Sequence, residues 1–224
     1  MIKLLVKGAS GKMGTRIIAC VRADSSFKVV EAIEAADVMI DFSHPDATVP
    51  NLELAAKAKK TAVIGTTGHT PKQRKTIDEF KTRLPFVLAP NTSVGVNLLA
   101  RLLIETGKVL GREFKATLSE THQIHKKDKP SGTALQLAHS IAAGLGIDVG
   151  RIPIESIREG EVVGIHTVTF ESAGEILQFI HNAKTRDSFA LGTLRAAKWI
   201  LGKPNGIYTM TDVLELKKSD PSAF

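Results

Sequence analysis

The sequence predicts an α/β protein with two domains, an early unit built on a parallel sheet and a later α+β unit built on a second sheet. Up to about Ser93, short apolar strands alternate with helical patterns, and this spacing indicates parallel strands joined by crossover helices. After Ser93, two longer segments alternate apolar and polar residues, which is typical of an antiparallel sheet with one solvated face.

The early unit is predicted from short apolar runs that end in turn residues. Leu4, Leu5 and Val6 form the first run, which is followed by glycines and then by a helical pattern. The same order of strand, turn and helix recurs along the chain. The predicted strands cover 4–6, 38–42, 61–64 and 85–89, and the predicted helices cover 13–21, 48–59 and 71–83.

The later unit begins with a helix predicted over 96–110 and a strand over 114–118. The alternating segments 161–170 and 175–181 are separated by a turn-like Ser-Ala-Gly sequence, so they are predicted to be neighbouring antiparallel strands. A last helix is predicted over 189–201, and the glycines and proline of 202–206 end it.

The composition is that of an ordinary soluble globular protein. The chain has 224 residues, of which 43% are hydrophobic and 24% are charged, so it can bury a substantial core. Its single cysteine, Cys20, excludes an internal disulfide framework and any multi-cysteine metal site. No apolar run approaches the ~20 residues of a membrane span, and the apolar start of the chain is too short for a signal peptide. We therefore expect a cytoplasmic protein without a membrane partner.

The chain is basic, with a net charge of +7 and a pI near 9.5. A basic face can attract nucleic acid, but aromatic residues make up only 5% of the chain and do not interleave with the basic ones. An acidic small-molecule substrate or a phosphate-bearing cofactor accounts for the same charge. A solvated basic surface without a partner is the third interpretation.

The first chemical motif is a G-x-x-G-x-x-G sequence formed by Gly8, Gly11 and Gly14. It lies between a predicted strand and a predicted helix. Glycines there allow a tight turn and a close approach to a pyrophosphate, and the helix start offers free N–H groups. The context favours dinucleotide binding over a structural turn.

An acidic residue about 20 positions after such glycines is expected to bind the adenosine ribose. Glu34 lies at that distance, and Glu31 is the other candidate. The stretch between Val30 and Asp37 is short for a parallel crossover, which normally needs a dozen or more residues. Either 27–30 is a stunted strand or a segment present in relatives is missing. No arginine follows Glu34, which favours NAD over NADP.

Two further loops follow predicted strands, at 65–68 and 89–93. In open parallel sheets, ligands bind outside the carboxyl ends of the strands. These loops are therefore placed to contact the nicotinamide and its ribose. Each of them taken singly is better explained as an ordinary turn, but two in register with the glycine loop favour a ligand site.

The most polar stretch of the chain runs from Glu120 to Ala134. His122 and Lys126 can donate protons near neutral pH if their environments tune them. After Pro130, Ser131 can cap a new helix. The free N–H groups of that helix and the Thr133 hydroxyl would suit a carboxylate. The other interpretation of the stretch is a basic surface loop.

A metal site at His122 and His125 is not expected, because no cysteine lies near them in the sequence and the surrounding lysines repel a cation.

Taken together, these motifs resemble dihydrodipicolinate reductase (4-hydroxy-tetrahydrodipicolinate reductase) of lysine and diaminopimelate synthesis. The pattern E-x-H-x-x-x-K-x-D-x-P-S-G-T-A is highly specific to that family, and the similarity spans nearly the whole chain. The matching segments are 8–14, 41–45, 65–68, 93–97, 120–134, 164–170, 185–190 and 204–208.

The resemblance implies a Rossmann dinucleotide-binding domain over 1–93 and 187–224, with the C-terminal segment returning to it. It also implies a substrate-binding and oligomerisation domain over 94–186 that builds a homotetramer. The cofactor is NADH or NADPH, and the substrate is a dicarboxylate. The residues matched to cofactor contacts are Gly8, Ala9, Ser10, Gly11, Lys12, Met13, Gly65, Thr66, Thr67, Ala89, Pro90, Asn91, Thr92 and Arg186, the last near the hinge between the domains. Glu34 joins them as a cofactor-binding candidate on its spacing after the glycines alone.

The family match gives His122 the role of proton donor and acceptor and Lys126 that of second proton donor. Gln123, Lys126, Gly132 and Thr133 are expected to hold the substrate carboxylates. The family usually has a second histidine where this chain has Gln123, which can hydrogen-bond a carboxylate but adds no charge.

The expected reaction is hydride transfer to a cyclic unsaturated dicarboxylate, with loss of water. Three alternatives remain: a dehydrogenase acting on another amino-dicarboxylate, a nucleotide-binding protein without turnover, and a basic nucleic-acid-binding protein. The third leaves the glycine loops unexplained.

Overall fold

The computed structural model describes residues 1–216; residues 217–224, which belong to the C-terminal segment assigned above to the dinucleotide-binding domain, lie outside the described residues. Contacts within the described chain form two compact units. Among the described residues, the first contains Met1–Val94 and Arg186–Leu216, and the second contains Gly95–Thr185.

Strands and helices alternate along the first unit. The second unit has a sheet whose two central strands are eight residues long each. In chain order the strands are β1 (Ile2–Lys7), β2 (Phe27–Val30), β3 (Val38–Asp41), β4 (Thr61–Ile64), β5 (Pro85–Leu88), β6 (Lys115–His122), β7 (Ile154–Arg158), β8 (Gly164–Glu171), β9 (Ile176–Ala183) and β10 (Gly206–Tyr208). The α-helices are α1 (Lys12–Arg22), α2 (Pro45–Lys57), α3 (Pro71–Glu79), α4 (Val94–Leu110), α5 (Gly132–Leu145), α6 (Asp187–Trp199) and α7 (Met210–Val213).

The first unit is a parallel six-stranded sheet in the order β10-β5-β4-β3-β1-β2. Successive side chains of a strand point to opposite faces, and β1 shows the consequence. Leu4 and Val6 join a core with Ile17 of α1, whereas Leu5 joins a second core with Leu52 of α2. Both faces are therefore buried, as predicted for a parallel sheet with crossover helices.

The short stretch between β2 and β3 is a complete crossover in this structure, and the first of the two alternatives, a stunted strand over 27–30, is confirmed. β2 is an edge strand of four residues paired with β1, and β3 pairs with the other side of β1. The connection spans only two strand spacings, about 10 Å. The expectation that a parallel crossover needs a dozen residues is wrong here for that reason.

Two buried side chains and one carboxylate hold this crossover in place. Ile33 and Ala36 pack into the core beside Leu5, on the face that α2 and α3 cover. The Asp37 side chain accepts a hydrogen bond from the Lys3 N–H at 2.8 Å, and the Asp37 N–H donates to the Lys3 carbonyl at 2.8 Å. The segment thus fills the space that a crossover helix would occupy against β1.

The second unit is a mixed four-stranded sheet in the order β7-β6-β8-β9. The predicted antiparallel pairing of β8 with β9 is confirmed, and β6 also runs antiparallel to β8. β7, which the sequence patterns did not predict, lies parallel to β6 at the edge. α4 and α5 cover one face, where Leu103 and Ile141 pack with Leu118 and Phe170.

Element bounds differ from the predictions mainly at ends. The helix predicted over 71–83 ends at Glu79 and continues as a 3₁₀ turn over Phe80–Thr82. The strand predicted over 114–118 extends to His122, so the polar stretch begins inside β6 rather than in a loop. Over residues 1–216, no helix combines the length and the apolarity needed to cross a bilayer.

Candidate functional site

The glycine motif forms the turn between β1 and α1 in the first unit. Gly8 has a φ of +78°, and a Cβ atom at Gly14 would lie 2.1 Å from the Gly8 carbonyl oxygen. Any side chain at either position would open the turn. Gly11 precedes the first helical residue and has no side chain, so no N-cap side chain accepts from the first N–H groups of α1. Ala9, Ser10 and Lys12 are exposed beside them.

The loops that follow β3 and β4 are joined by one buried carboxylate. Asp41 is inaccessible to solvent, and its Oδ1 accepts from the Ser43 N–H at 2.9 Å and from Thr66 Oγ1 at 3.1 Å. The ring of Phe42 lies where a side chain on Gly65 would sit, 2.1 Å from its Cβ position. Asp41 and Phe42 therefore set the path of the 65–67 loop, a role that the sequence patterns did not assign.

The loop after β5 packs against helix α6. Thr92 Oγ1 donates to the Phe189 carbonyl at 2.8 Å, and a Cβ at Gly192 would lie 1.8 Å from the Thr92 carbonyl oxygen. Ala89, Asn91 and Thr92 are buried, whereas Pro90 is exposed. Contact with a ligand at this loop would therefore use Pro90 and the backbone.

The remaining predicted cofactor residues also lie in the first unit. Gly65, Thr66 and Thr67 directly follow β4, with Thr67 exposed, and Met13 is half-buried in α1. Glu34 is exposed in the crossover, and Arg186 is the residue that precedes α6. The predicted catalytic and substrate residues, in contrast, all lie in the second unit.

The second unit has a buried polar cluster at the end of its sheet core, beside the start of α5. On β6, Ala116 and Leu118 face the core, and the same alternation places Glu120 and His122 on that face. Glu120 is fully buried, and one of its carboxylate oxygens contacts Nδ1 of His122. Its other oxygen lies 2.9 Å from Nη2 of Arg158.

His166 adds a second imidazole to this cluster. It pairs with Glu120 across β6 and β8, and its ring centroid lies 5.1 Å from that of His122. Ser131 Oγ lies 3.4 Å from Nε2 of His166. The His181 ring lies 6.3 Å beyond His166 on β9. The alternation of β8, which buries Val168 and Phe170, was the sequence signal that could have placed His166 here.

The loop 123–130 carries Lys126 beside this cluster. Nζ of Lys126 lies 2.8 Å from the Asp128 carboxylate. Arg158 donates to the carbonyl oxygens of Lys126 at 3.2 Å and of Asp128 at 2.5 Å, so it ties the loop to β7. Gln123 is half-buried, and its N–H donates to the Val162 carbonyl at 2.7 Å.

α5 begins where the loop ends. Ser131 is its N-cap, and Ser131 Oγ accepts from the Ala134 N–H at 3.1 Å. A Cβ at Gly132 would meet nothing within 4 Å, so the first turn is open. Thr133 is half-buried next to it. A helix start of this kind can accept an anion such as a carboxylate.

The buried groups carry unequal charges. Burial alone would raise the pKa of Glu120, but hydrogen bonds from Ser156 and Arg158 and the nearby charges of His122 and Arg158 lower it to about 2. Burial lowers the pKa of His122, an effect that Glu120 opposes and that Lys126 and Arg158 reinforce. Burial also lowers the pKa of His166 to about 3. At neutral pH the cluster therefore contains an anionic glutamate and neutral imidazoles.

Donor atoms of Glu120, His122 and His166 lie within 4.8 Å of one another. Glu120 is already neutralised by Arg158, and a metal ion there would face that guanidinium. The expectation that the protein uses no metal stays a prediction.

Family comparison covers both units. Residues 95–214 match the family model of the dihydrodipicolinate reductase C-terminus. The model of the dihydrodipicolinate reductase N-terminus matches in two pieces, residues 2–36 and 31–92.

Individual relatives carry the same name. The 4-hydroxy-tetrahydrodipicolinate reductase of Syntrophotalea carbinolica is 36% identical over 267 residues, covering 97% of this chain and 100% of that protein. That of Geobacter sulfurreducens is 36% identical over 266 residues with the same coverage. The solved structure of dipicolinate-bound dihydrodipicolinate reductase from Paenisporosarcina sp. TG-14 has a TM-score of 0.77 at 21% identity, covering 95% of this chain and 98% of that chain, and so shares the fold.

The comparison also bears on the short crossover. The alignment with the Syntrophotalea protein is 267 positions long and this chain has 224 residues, so at least 43 positions face a gap in this chain. The two pieces of the N-terminal match meet at residues 31–36. Relatives therefore carry additional sequence at the β2–β3 connection.

Proposed function

The chain belongs to the dihydrodipicolinate reductase family, and we propose that it reduces 4-hydroxy-tetrahydrodipicolinate to tetrahydrodipicolinate with loss of water, a step of lysine and diaminopimelate synthesis. The observation that best supports this activity is the polar cluster beside the open start of α5. It combines a histidine held by a buried carboxylate, a lysine and a helix N-terminus suited to a carboxylate.

The proposed division of labour follows the two units. Residues 1–93 with 187–224 bind the dinucleotide, and residues 94–186 bind the substrate. The β1–α1 turn fits a pyrophosphate because side chains at Gly8 and Gly14 are sterically excluded and no N-cap side chain occupies the first N–H groups of α1. The bound dihydronicotinamide supplies a hydride to the substrate ring.

The chain's own residues manage protons and position the substrate in this proposal. Lys126 and His122 supply and accept protons as water leaves, and both lie beside the start of α5. Gln123, Lys126, Gly132 and Thr133 hold the two carboxylates. Because Gln123 is uncharged, we expect the carboxylate near it to be held by hydrogen bonding rather than by charge.

Cofactor preference is proposed from the crossover. Glu34 is exposed in the connection between β2 and β3, and its spacing after the glycines makes it the candidate to accept from a ribose hydroxyl. No arginine follows it to pair with a 2′-phosphate, so we propose NADH as the better of the two cofactors. Contacts from Gly8 to Met13, from Gly65 to Thr67, from Ala89 to Thr92 and from Arg186 complete the proposed dinucleotide site.

The test is oxidation of NADH and of NADPH by the purified protein, with freshly made product of dihydrodipicolinate synthase as substrate. We expect substrate-dependent oxidation, faster at equal concentration with NADH. His122→Ala and Lys126→Ala are each expected to lower kcat ~10²–10⁴-fold, the usual range for losing a positioned acid or base. His139→Ala on the exposed face of α5 and Lys127→Ala in the same loop are the matched controls.

Near-native turnover in both His122→Ala and Lys126→Ala would remove these residues from the mechanism. Two departures from the family, Gln123 and the short crossover, favour a second candidate, a nucleotide-binding relative that acts on another dicarboxylate or lacks turnover. NADH binding without substrate-dependent oxidation would support that candidate. We place the protein in the cytoplasm, as expected for an enzyme of amino-acid synthesis.

A further inference from the structure

The buried carboxylate of Glu120 contacts several parts of the proposed substrate site, although it is not among the catalytic or substrate-binding residues. One carboxylate oxygen contacts Nδ1 of His122. The other accepts from Arg158 Nη2 at 2.9 Å and from the Ser131 N–H at 3.3 Å. A single buried carboxylate thus joins the imidazole, strand β7 and the residue that caps α5.

Arg158 extends the same arrangement to the loop that carries Lys126. Besides Glu120, it donates to the carbonyl oxygens of Lys126 and Asp128. A guanidinium presents several N–H groups in a fixed plane and can bridge such acceptors at once, which an ammonium group cannot do. The pair therefore determines both where His122 points and where the backbone of Lys126 lies.

The contact between Glu120 and Nδ1 also selects one tautomer of His122. A carboxylate accepts a hydrogen bond, so the proton of the neutral imidazole lies on Nδ1 and Nε2 is left with a lone pair. Gly164 lies beside Nε2, because a Cβ there would be 2.9 Å from that atom. Nε2 is then the atom of His122 that can exchange a proton with a substrate.

We propose that Glu120 and Arg158 are positioning residues, whose buried ion pair fixes the tautomer of His122, the loop of Lys126 and the start of α5 in one arrangement. This proposal rests on the proposed function, because it assigns the pair to the same substrate site. Arg158 also balances the charge of Glu120, and it adds to the burial that keeps His122 neutral beside an anion.

The charged and titratable groups that face His122 come from four places. Glu120 lies on the same strand, Lys126 in the loop, Arg158 on β7 and His166 on β8, with His181 behind His166. Loss of Glu120 removes the group that raises the pKa of His122, and loss of Arg158 removes one that lowers it. The two losses are therefore expected to move this pKa in opposite directions.

The experiment compares the full-length protein with Glu120→Gln, Arg158→Met and Arg158→Lys, and uses Glu155→Gln on the exposed side of β7 as the control. It measures kcat, KM, the affinity for NADH, and the tautomer and pKa of His122 by nitrogen-15 NMR. Glu120→Gln and Arg158→Met are each expected to lower kcat about 10²-fold or more with NADH affinity unchanged. The pKa of His122 should fall in Glu120→Gln and rise in Arg158→Met.

Arg158→Lys keeps the positive charge beside Glu120, so it still tests the proposal if Arg158→Met fails to fold. We expect its His122 pKa to stay close to that of the native protein while kcat remains lowered and KM rises, because an ammonium cannot reach all three acceptors. Near-native kcat in every variant, or a shift of the His122 pKa in the same direction on both losses, would overturn the positioning role.

Failure of the proposed reaction can be distinguished from failure of the positioning role. A native protein that binds NADH but oxidises none with this substrate contradicts the reaction. The Nδ1–H tautomer of His122 and its loss in Glu120→Gln still test the positioning role in that case. Finding the proton of native His122 on Nε2 would overturn it.

Discussion

Glu120 carries a negative charge at a position without solvent exposure, which is costly unless hydrogen bonds and opposite charge compensate. Here the compensation comes from Arg158, Ser156 and Ser131, and it keeps the pKa of the carboxyl group near 2. The carboxyl group is therefore far easier to protonate in the unfolded chain, where its pKa is about 4.5.

A depressed pKa in the folded state predicts a specific loss of stability in acid. Glu120 stabilises the fold above about pH 4.5, and this contribution disappears as the pH falls toward 2. Between pH 5 and pH 3 we expect it to remove about 2 kcal/mol from the free energy of unfolding. Urea unfolding across this range should show a smaller decrease in Glu120→Gln, whereas Glu155→Gln should behave like the native protein.

His166 contributes over a wider pH range, which begins at a higher pH than that of Glu120 and overlaps it below about pH 4.5. Its pKa is also lowered, from 6.5 to about 3, so its contribution is present above pH 6.5 and begins to fall below it. A decrease already visible between pH 6.5 and pH 5 in both native protein and Glu120→Gln comes from the buried histidines whose pKa is lowered, His122 and His181 as well as His166. An equal acid response of all variants from pH 5 to pH 3 would contradict the low pKa of Glu120.

Sequence reasoning reached only some residues of the polar cluster. His122, Lys126 and Ser131 were found because they lie within fifteen residues that also carry the family pattern. Arg158 was missed because it enters from β7, an edge strand with no strong alternation, and reaches Glu120 only through strand pairing. The partner of a buried charge is fixed by the register of strands far apart in the chain, which local patterns do not contain.

At the scale of elements, α4 and α5 approach each other through two glycines. A Cβ at Gly144 would lie 2.6 Å from the Ile104 carbonyl oxygen, and one at Gly107 would lie 2.8 Å from the carbonyl carbon of Gly144. Both helices also bury large side chains such as Leu103 and Ile141 against the sheet. Backbone contact this close leaves no space for a methyl group.

Gly144→Ala is therefore expected to destabilise the second unit although alanine is the better helix former. Overpacking costs typically 1–3 kcal/mol, which exceeds the ~1 kcal/mol gained in helix propensity. Thermal unfolding should show a lower Tm than that of Gly174→Ala, whose added Cβ would meet nothing within 4 Å. An unchanged or raised Tm in Gly144→Ala would contradict this prediction, because it would show that α4 and α5 can move apart to accept the methyl group without loss of stability.

The elements themselves were largely predictable where periodicity was strong. The strands β1, β3, β4 and β5 and the pairing of β8 with β9 follow from apolar runs and alternation. β7 was not predicted and β2 was left open, because a strand at the edge of a sheet needs little apolar patterning. Helix ends shifted by a few residues since capping, as at Ser131, depends on individual side chains.

At the scale of the whole molecule, β9 presents an apolar surface that the described chain does not cover. Ile176 is 62% exposed and Ile180 is 66% exposed on this edge strand. Exposed apolar surface on an edge strand is typical of an interface between chains. It supports the proposal that the second unit assembles this protein into a homotetramer.

Ile180→Glu is expected to weaken that assembly, because a carboxylate would be buried at the interface without a partner. Sedimentation equilibrium should give a lower mean mass for this variant than for the native protein at the same concentration. Glu175→Gln, in the turn before β9, should keep the native mass. An unchanged mass in Ile180→Glu would exclude this face of β9 from the interface.

The seven residues between β2 and β3 have a consequence for protein engineering. They pack Ile33 and Ala36 into the core beside β1, whereas the N-terminal family model matches this chain in two pieces that meet at the same connection. The connection between β2 and β3 is therefore short in this chain and longer in relatives. Lengthening the connection at the exposed Ala35 would leave the buried side chains of Ile33 and Ala36 on either side of the added residues.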